Sequence, residues 1–184
     1  MEVAKKNLKE KLKAFLVHFA ISLFILIPVS TFIYLVWYPS PIFQALQANK
    51  ILTLVVLIDL ILGPTLTFII YKKNKKTLKF DLTVIALVQI IALGFGLSSL
   101  ALAKPVWIVF NGNKFELIQK NEIFYPQTIN DNQYLSSNFF SKPKFVAVEF
   151  LKDNKLREKQ MMEEVFLGIS VAQRPENYID IENQ

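Results

Sequence analysis

The sequence predicts a membrane protein with three transmembrane α-helices followed by a small α+β extracytoplasmic domain. Three observations carry that prediction. Hydrophobic residues make up 53% of the 184-residue chain, an excess too concentrated for a soluble domain of this size. The excess is gathered into three long runs. After residue 103 the long runs give way to short strand-like segments separated by turn residues. The expected organisation is a basic cytoplasmic segment at 1–13, a three-helix membrane domain at 14–103 and an outer α+β domain at 104–184.

The runs at 14–37, 51–71 and 82–103 each meet the length of about 20 mostly apolar residues that a bilayer core requires. In lipid each backbone amide must bond within its own helix, and a buried helix of a soluble bundle would carry a polar stripe that these lack. Lysine sets the orientation. Lys5, Lys6, Lys9, Lys11 and Lys13 precede the first run and Lys72, Lys73, Lys75, Lys76 and Lys79 follow the second, whereas the first connection holds only Lys50. Positive residues stay inside, so the N-terminus and second loop are expected in the cytoplasm and residues 104–184 outside. Trp37, Tyr38 and Trp107 fall at the expected outer edge, where amphipathic rings collect. The first run is too long for a signal peptide and reads as an anchor. LALAKP, at 100–105, resembles an A-x-A cleavage site, yet it too follows an overlong run and is read as retained.

The net charge of +6 lies in the two lysine clusters, since residues 104–184 carry ten basic and eleven acidic residues. The charge is a topology signal, and nucleic acid is not an expected partner. The lipid bilayer is, with weak attraction of these lysines to anionic head groups.

In the outer domain, VWIVF (106–110) and KFELI (114–118) flank Asn111, Gly112 and Asn113, a strong hairpin signal. Residues 121–143 read mostly as loop, and 145–151 as a third strand. A helix follows, with Asp153 as N-cap, Gly168 as stop, and Leu156, Met162, Val165 and Phe166 near one face. A core of about 80 residues is marginal alone, so docking to other surfaces would help it.

Chemistry is sparse. With no cysteine and one histidine, neither a disulfide nor a Cys- or His-based metal site is expected. His18 reads as a hydrogen-bonded interfacial residue. No nucleophile elbow, phosphate loop or H-E-x-x-H helix occurs, so recognition is expected rather than catalysis, with no cofactor. Asp59 is the exception in the membrane domain. It lies about 18 Å deep at 1.5 Å per residue, where a carboxylate must be protonated, paired or facing protein. Gln89 lies at a depth that allows a hydrogen bond to it if the second and third helices pack together. Asp59 is then a polar clamp between helices, a contact for another protein's helix, or a proton-relay group, and the three stay open. Gly63 and Pro64 would add a groove and a local break.

The motifs LIDLILGPTLT in the second helix, TLKFDL entering the third, AKPV just outside it and QRPENY near the C-terminus resemble the type IV pilin accessory proteins, the TfpX/TfpZ group, across nearly the entire chain. Lys104 stands where the family pattern has arginine, and Ile179 and Asp180 depart from it after the tyrosine. The resemblance implies a multi-pass bacterial inner-membrane protein, its C-terminal domain periplasmic, that assists assembly of a cognate major pilin in a chaperone-like way. Asp59, Gly63 and Pro64 would pair with the pilin's apolar helix while the outer domain holds its head. Lys79, Phe80 and Asp81 are expected to end a loop and cap the third helix, with partner docking as the alternative. Arg174, Pro175, Glu176 and Tyr178 are expected to form a turn packed on the domain with Arg174 and Glu176 exposed, the alternative being a pilin-binding edge. The rival function is a small proton-coupled transporter subunit using Asp59 and Gln89. An aspartyl protease would need a second aspartate within the spans. Homo-oligomerisation stays open.

Overall fold

The computed structural model describes residues 2–124, 138–149, 151 and 153–181. The chain divides into two compact units. A helical unit holds the residues up to Leu35 together with Pro39–Leu100, and a mixed unit holds Val36–Tyr38 with the residues from Ala101 onward.

In the helical unit, α1 (Glu2–Phe32) continues through a π-helical turn, Ile33–Trp37. The basic segment is thus part of the first helix, because lysine and leucine are good helix formers and nothing there breaks the ladder. After the short α2 (Ile42–Ala45), the second rod is built in three pieces, α3 (Ala48–Leu57), a π turn (Ile58–Leu62) and α4 (Gly63–Ile70), and α5 (Leu78–Leu102) forms the third. Three helical stretches, Lys5–Trp37, Ala48–Ile70 and Leu78–Leu102, are long and apolar enough to cross a membrane. At most 28% of the apolar window in each is buried inside the protein, so most of that apolar surface needs another apolar phase. Two glycines let the second and third rods approach. A Cβ on Gly96 would stand 2.3 Å from Val55, and one on Gly63 would stand 2.1 Å from Gln89.

The mixed unit is a four-stranded sheet in the order β2-β1-β3-β4, built from β1 (Pro105–Asn111), β2 (Lys114–Gln119), β3 (Lys144–Val148) and β4 (Tyr178–Ile179). β1 and β2 form the expected hairpin, and Gly112 takes the positive φ of 66° that its turn requires. β3 runs parallel to β1 and antiparallel to β4. The third strand therefore stops at Val148, short of the expected 151, and Phe150 lies outside the described residues, as do 125–137 of the expected loop. The core gathers Val106, Trp107, Val109, Ile118, Ile123, Val146, Val148, Ala172 and Tyr178.

The last helix, α6 (Asn154–Leu167), begins and ends as its sequence predicts. Asp153 accepts from the Lys155 N–H, and Gly168 closes it at φ 70°. The four apolar residues expected near one face do not turn inward. Leu156, Met162, Val165 and Phe166 are exposed, while Gln160 is the buried residue of the helix. The cause is polar. The Asn177 side-chain amide donates to Gln160 at 3.1 Å, and Arg174 pairs with Glu163, so α6 is held through hydrogen bonds and an ion pair.

Candidate functional site

The most specific arrangement in the helical unit grows from Pro64. Proline has no N–H to give the ladder, and the turn before it widens to a π turn in which the Gly63 N–H bonds the Ile58 carbonyl, five residues back. Under the same i→i−5 pattern the Asp59 carbonyl would need a donor from Pro64, which has none. Gln89 of α5 supplies it, its Nε2 donating to the Asp59 carbonyl at 3.2 Å and lying 3.4 Å from Asp59 Oδ1. Gly63 leaves the space through which the Gln89 amide passes. The groove expected at Gly63 is filled in this way, and Gly63 and Pro64 are both buried.

His18 of α1 completes the cluster. Its Nε2 lies 2.7 Å from Gln89 Oε1 and its Nδ1 lies 2.7 Å from Thr67 Oγ1. With the amide nitrogen facing Asp59, Gln89 Oε1 can only accept. Nε2 therefore carries the proton, and in a neutral ring Nδ1 accepts from Thr67. Three helices are thereby joined through one glutamine. Asp59 is 5% exposed, and no described residue donates to its second carboxylate oxygen. Asp59 lines a cavity of about 210 Å³ together with the polar His18, Ser22 and Gln89 and the apolar Ile25, Ile90 and Leu93. Such a lining sets hydrogen-bonding groups among apolar side chains. Thr67 and His18 were not among the residues singled out for the site. The four-residue spacing of Asp59, Gly63 and Thr67, one stripe of a helix, is the signal that points to Thr67.

Lys79, Phe80 and Asp81 stand at the start of α5, about 12 to 15 Å along the helix from Gln89. Asp81 accepts from the Thr77 hydroxyl at 3.2 Å and pairs with Lys75 at 2.6 Å. It holds the loop to the first turn without capping a backbone amide. Phe80 and Lys79 are exposed.

In the mixed unit the expected exposure of Arg174 and Glu176 is corrected. Arg174 is 3% exposed, its guanidinium held between Glu163 and Glu176 and stacked 4.7 Å over Phe124. Pro175 is buried, and the Tyr178 hydroxyl donates to the Ala172 carbonyl while its ring meets Trp107 edge-on. Burial holds that phenol above its usual range, with Glu176 and Glu116 adding to the effect. The motif is a latch on the domain core. Lys104 is also buried, donating to the Asn138 carbonyl at 2.7 Å, and Trp37 donates to the neighbouring Phe139 carbonyl at 2.8 Å. Burial, with Lys120 nearby, keeps the Lys104 amine below the ordinary lysine range. On the sheet, the rings of Phe110, Phe115 and Phe145 run across three strands at 5.1 and 6.2 Å, and the last two are exposed. Among the described residues no three metal-ligating side chains gather.

A family model described as Fimbrial assembly protein FimB matches residues 6–47, the stretch of α1 that carries His18 and the turn after it. A fimbrial assembly protein of Dichelobacter nodosus, serogroups C1 and C2, is 33% identical over 110 residues, covering 58% of this chain and 83% of that relative. The chain belongs to the fimbrial assembly protein family. The type IV pilus accessory resemblance read from the motifs is thereby met. Two further fimbrial assembly proteins of Dichelobacter nodosus, serogroups E1 and I, are each 29% identical over 164 residues and 86% of this chain. The chain spans 62% of the length of each of these two relatives. No solved structure matches it.

Proposed function

We propose that this chain is a non-enzymatic inner-membrane assembly factor that binds a cognate type IV major pilin and promotes its entry into pili. Its membership of the fimbrial assembly family supports the process. The observation that carries the mechanism is the buried Asp59 carboxylate, with one oxygen unclaimed, on an apolar-walled cavity within the helical unit.

In this reading the three rods cross the inner membrane, and the apolar helix of a pilin subunit lies against the His18–Gln89–Asp59 face. Gly63 and Pro64 act from beneath, by placing Gln89 and freeing the Asp59 carbonyl. A polar contact between membrane helices is worth about 1 kcal/mol, or about fivefold in occupancy, enough to bias a complex that must still release its cargo. The outer unit meets the pilin head through the exposed aromatic rows of its sheet, since Arg174, Pro175 and Tyr178 are spent on the core.

The test is crosslinking in intact cells from a photoreactive residue at Ile90, which lines the cavity, with Asp59→Leu alongside. The expected result is a crosslink to the major pilin and a several-fold loss of surface pili at normal protein level. Unchanged pilus number in Asp59→Leu would remove the membrane contact. A proton-coupled transporter is the weaker reading, because the Gln89 amide stands between His18 and Asp59 and neither takes nor releases a proton near neutral pH. Proton flux in vesicles that Asp59→Asn abolished would restore it.

A further inference from the structure

At the lysine-rich end of the helical unit, α1 and the end of α4 enclose a pocket of about 640 Å³. Part of its lining is apolar. Leu8 of α1 and Ile69 of α4 are 57% and 62% exposed, and both line it. Part is cationic, with Lys11, Lys72, Lys73 and Lys75 against a single carboxylate, Glu10. That carboxylate is taken by Lys73 at 2.8 Å, and Lys75 is taken by Asp81 at 2.6 Å. Lys11 and Lys72 have no acidic partner among the described residues. Lys11 reaches the Ile69 carbonyl only at 3.5 Å and lies 5.7 Å over the Phe68 ring, which places a cation at the negative end of α4 and partly offsets the repulsion an anion would meet there.

We propose that this pocket is a binding site for an anionic phospholipid, with the phosphate between Lys11 and Lys72 and an acyl chain along Leu8 and Ile69. The mixed apolar and cationic lining selects the occupant. A free phosphate would leave the apolar wall in water, whereas a zwitterionic lipid brings a cation toward lysines already in excess. Basic pockets between membrane helices take lipid head groups in this way. The general attraction of a lysine cluster for a negative surface does not require a pocket, and the distinction can be measured. The inference is independent of pilin binding.

The experiment is native mass spectrometry of the full chain in detergent with phosphatidylglycerol or phosphatidylcholine added, comparing wild type with Lys11→Gln/Lys72→Gln and with Lys13→Gln/Lys76→Gln. The second pair removes the same charge from residues outside the pocket. Retained phosphatidylglycerol should exceed phosphatidylcholine at least about fivefold in wild type and in the second pair, and fall to parity in the first. Equal retention of the two lipids by wild type, or an equal loss in both variants, overturns the site. Amine labelling of the wild-type chain gives a readout that needs no variant. Phosphatidylglycerol should protect Lys11 and Lys72 relative to Lys13 and Lys76, and uniform protection counts against the proposal.

Discussion

Each of the two units buries a charged-type side chain, and they handle it differently. Arg174 in the mixed unit is enclosed by two carboxylates and an aromatic face. Asp59 in the helical unit meets no opposite charge within bonding distance. Its neighbour is a glutamine amide whose first commitment is to the backbone carbonyl. The first arrangement is a charge-paired structural clamp. The second leaves one carboxylate oxygen unclaimed in a residue that lines a cavity, the feature on which the proposed pilin contact rests. Burial by itself therefore does not distinguish the two arrangements, and neither does complete hydrogen bonding, since Arg174 Nε and Glu176 Oε2 also lack partners among the described residues. Opposite charge beside the one and a cavity beside the other do.

Breaking the latch should have the largest effect. Arg174→Leu removes one side of a buried ion pair and strands Glu163 and Glu176, for which a loss of about 3–5 kcal/mol is expected. Urea unfolding of the full chain in detergent, followed by the Trp107 environment, reads it. A loss under about 1 kcal/mol would place Arg174 with exposed pairs and erase the contrast. Gly63→Ala should come next. Its Cβ would stand 2.1 Å from Gln89 Nε2, so the amide must leave the Asp59 carbonyl and His18, at about 1–2 kcal/mol. Gly94→Ala, where a Cβ meets nothing within 4 Å, is the control and should be neutral or stabilising. A similar penalty at both glycines would mean that Gln89 is not held through Gly63.

The smallest effect sharpens the comparison within the mixed unit, at Glu116. Burial raises this carboxyl, but hydrogen bonds from Asn111, Lys114 and Ser170 outweigh it and hold the group below its ordinary value of 4.5. A carboxylate with a depressed folded value contributes stability that is complete above the unfolded value and is lost as pH falls through the folded one. Glu116→Gln should therefore cost less than about 1 kcal/mol at pH 7 and flatten the decline in stability below about pH 4.5. An unchanged acid limb in the variant would show that Glu116 keeps its ordinary affinity for protons.

Patterns with a local cause were legible in the sequence. The three apolar runs, the Asn-Gly hairpin and the Asp153 to Gly168 helix each follow from composition, turn chemistry or capping within one segment. Asp59 and Gln89 were legible as a pair because depth along a helix is linear in residue number. His18 was legible as a hydrogen-bonded residue, but its partners and the role of Thr67 were not, since a hydrogen bond across 49 or 71 residues depends on how helices rotate against one another. Which way the apolar residues of α6 turn was not legible for a related reason. Periodicity marks a face, but which face turns inward depends on what the sheet offers, and there the sheet offered Asn177 and Arg174.

Residue order alone is enough to read which segments are apolar, where helices and turns start and stop, and the family. Packing was needed to show that Gly63 makes room for an amide, that Arg174 is an interior residue and that one oxygen of Asp59 is left unclaimed. The physical reason is that propensity and hydropathy act between neighbours along the chain, whereas satisfying a buried polar group requires partners that only packing brings within 3 Å or so.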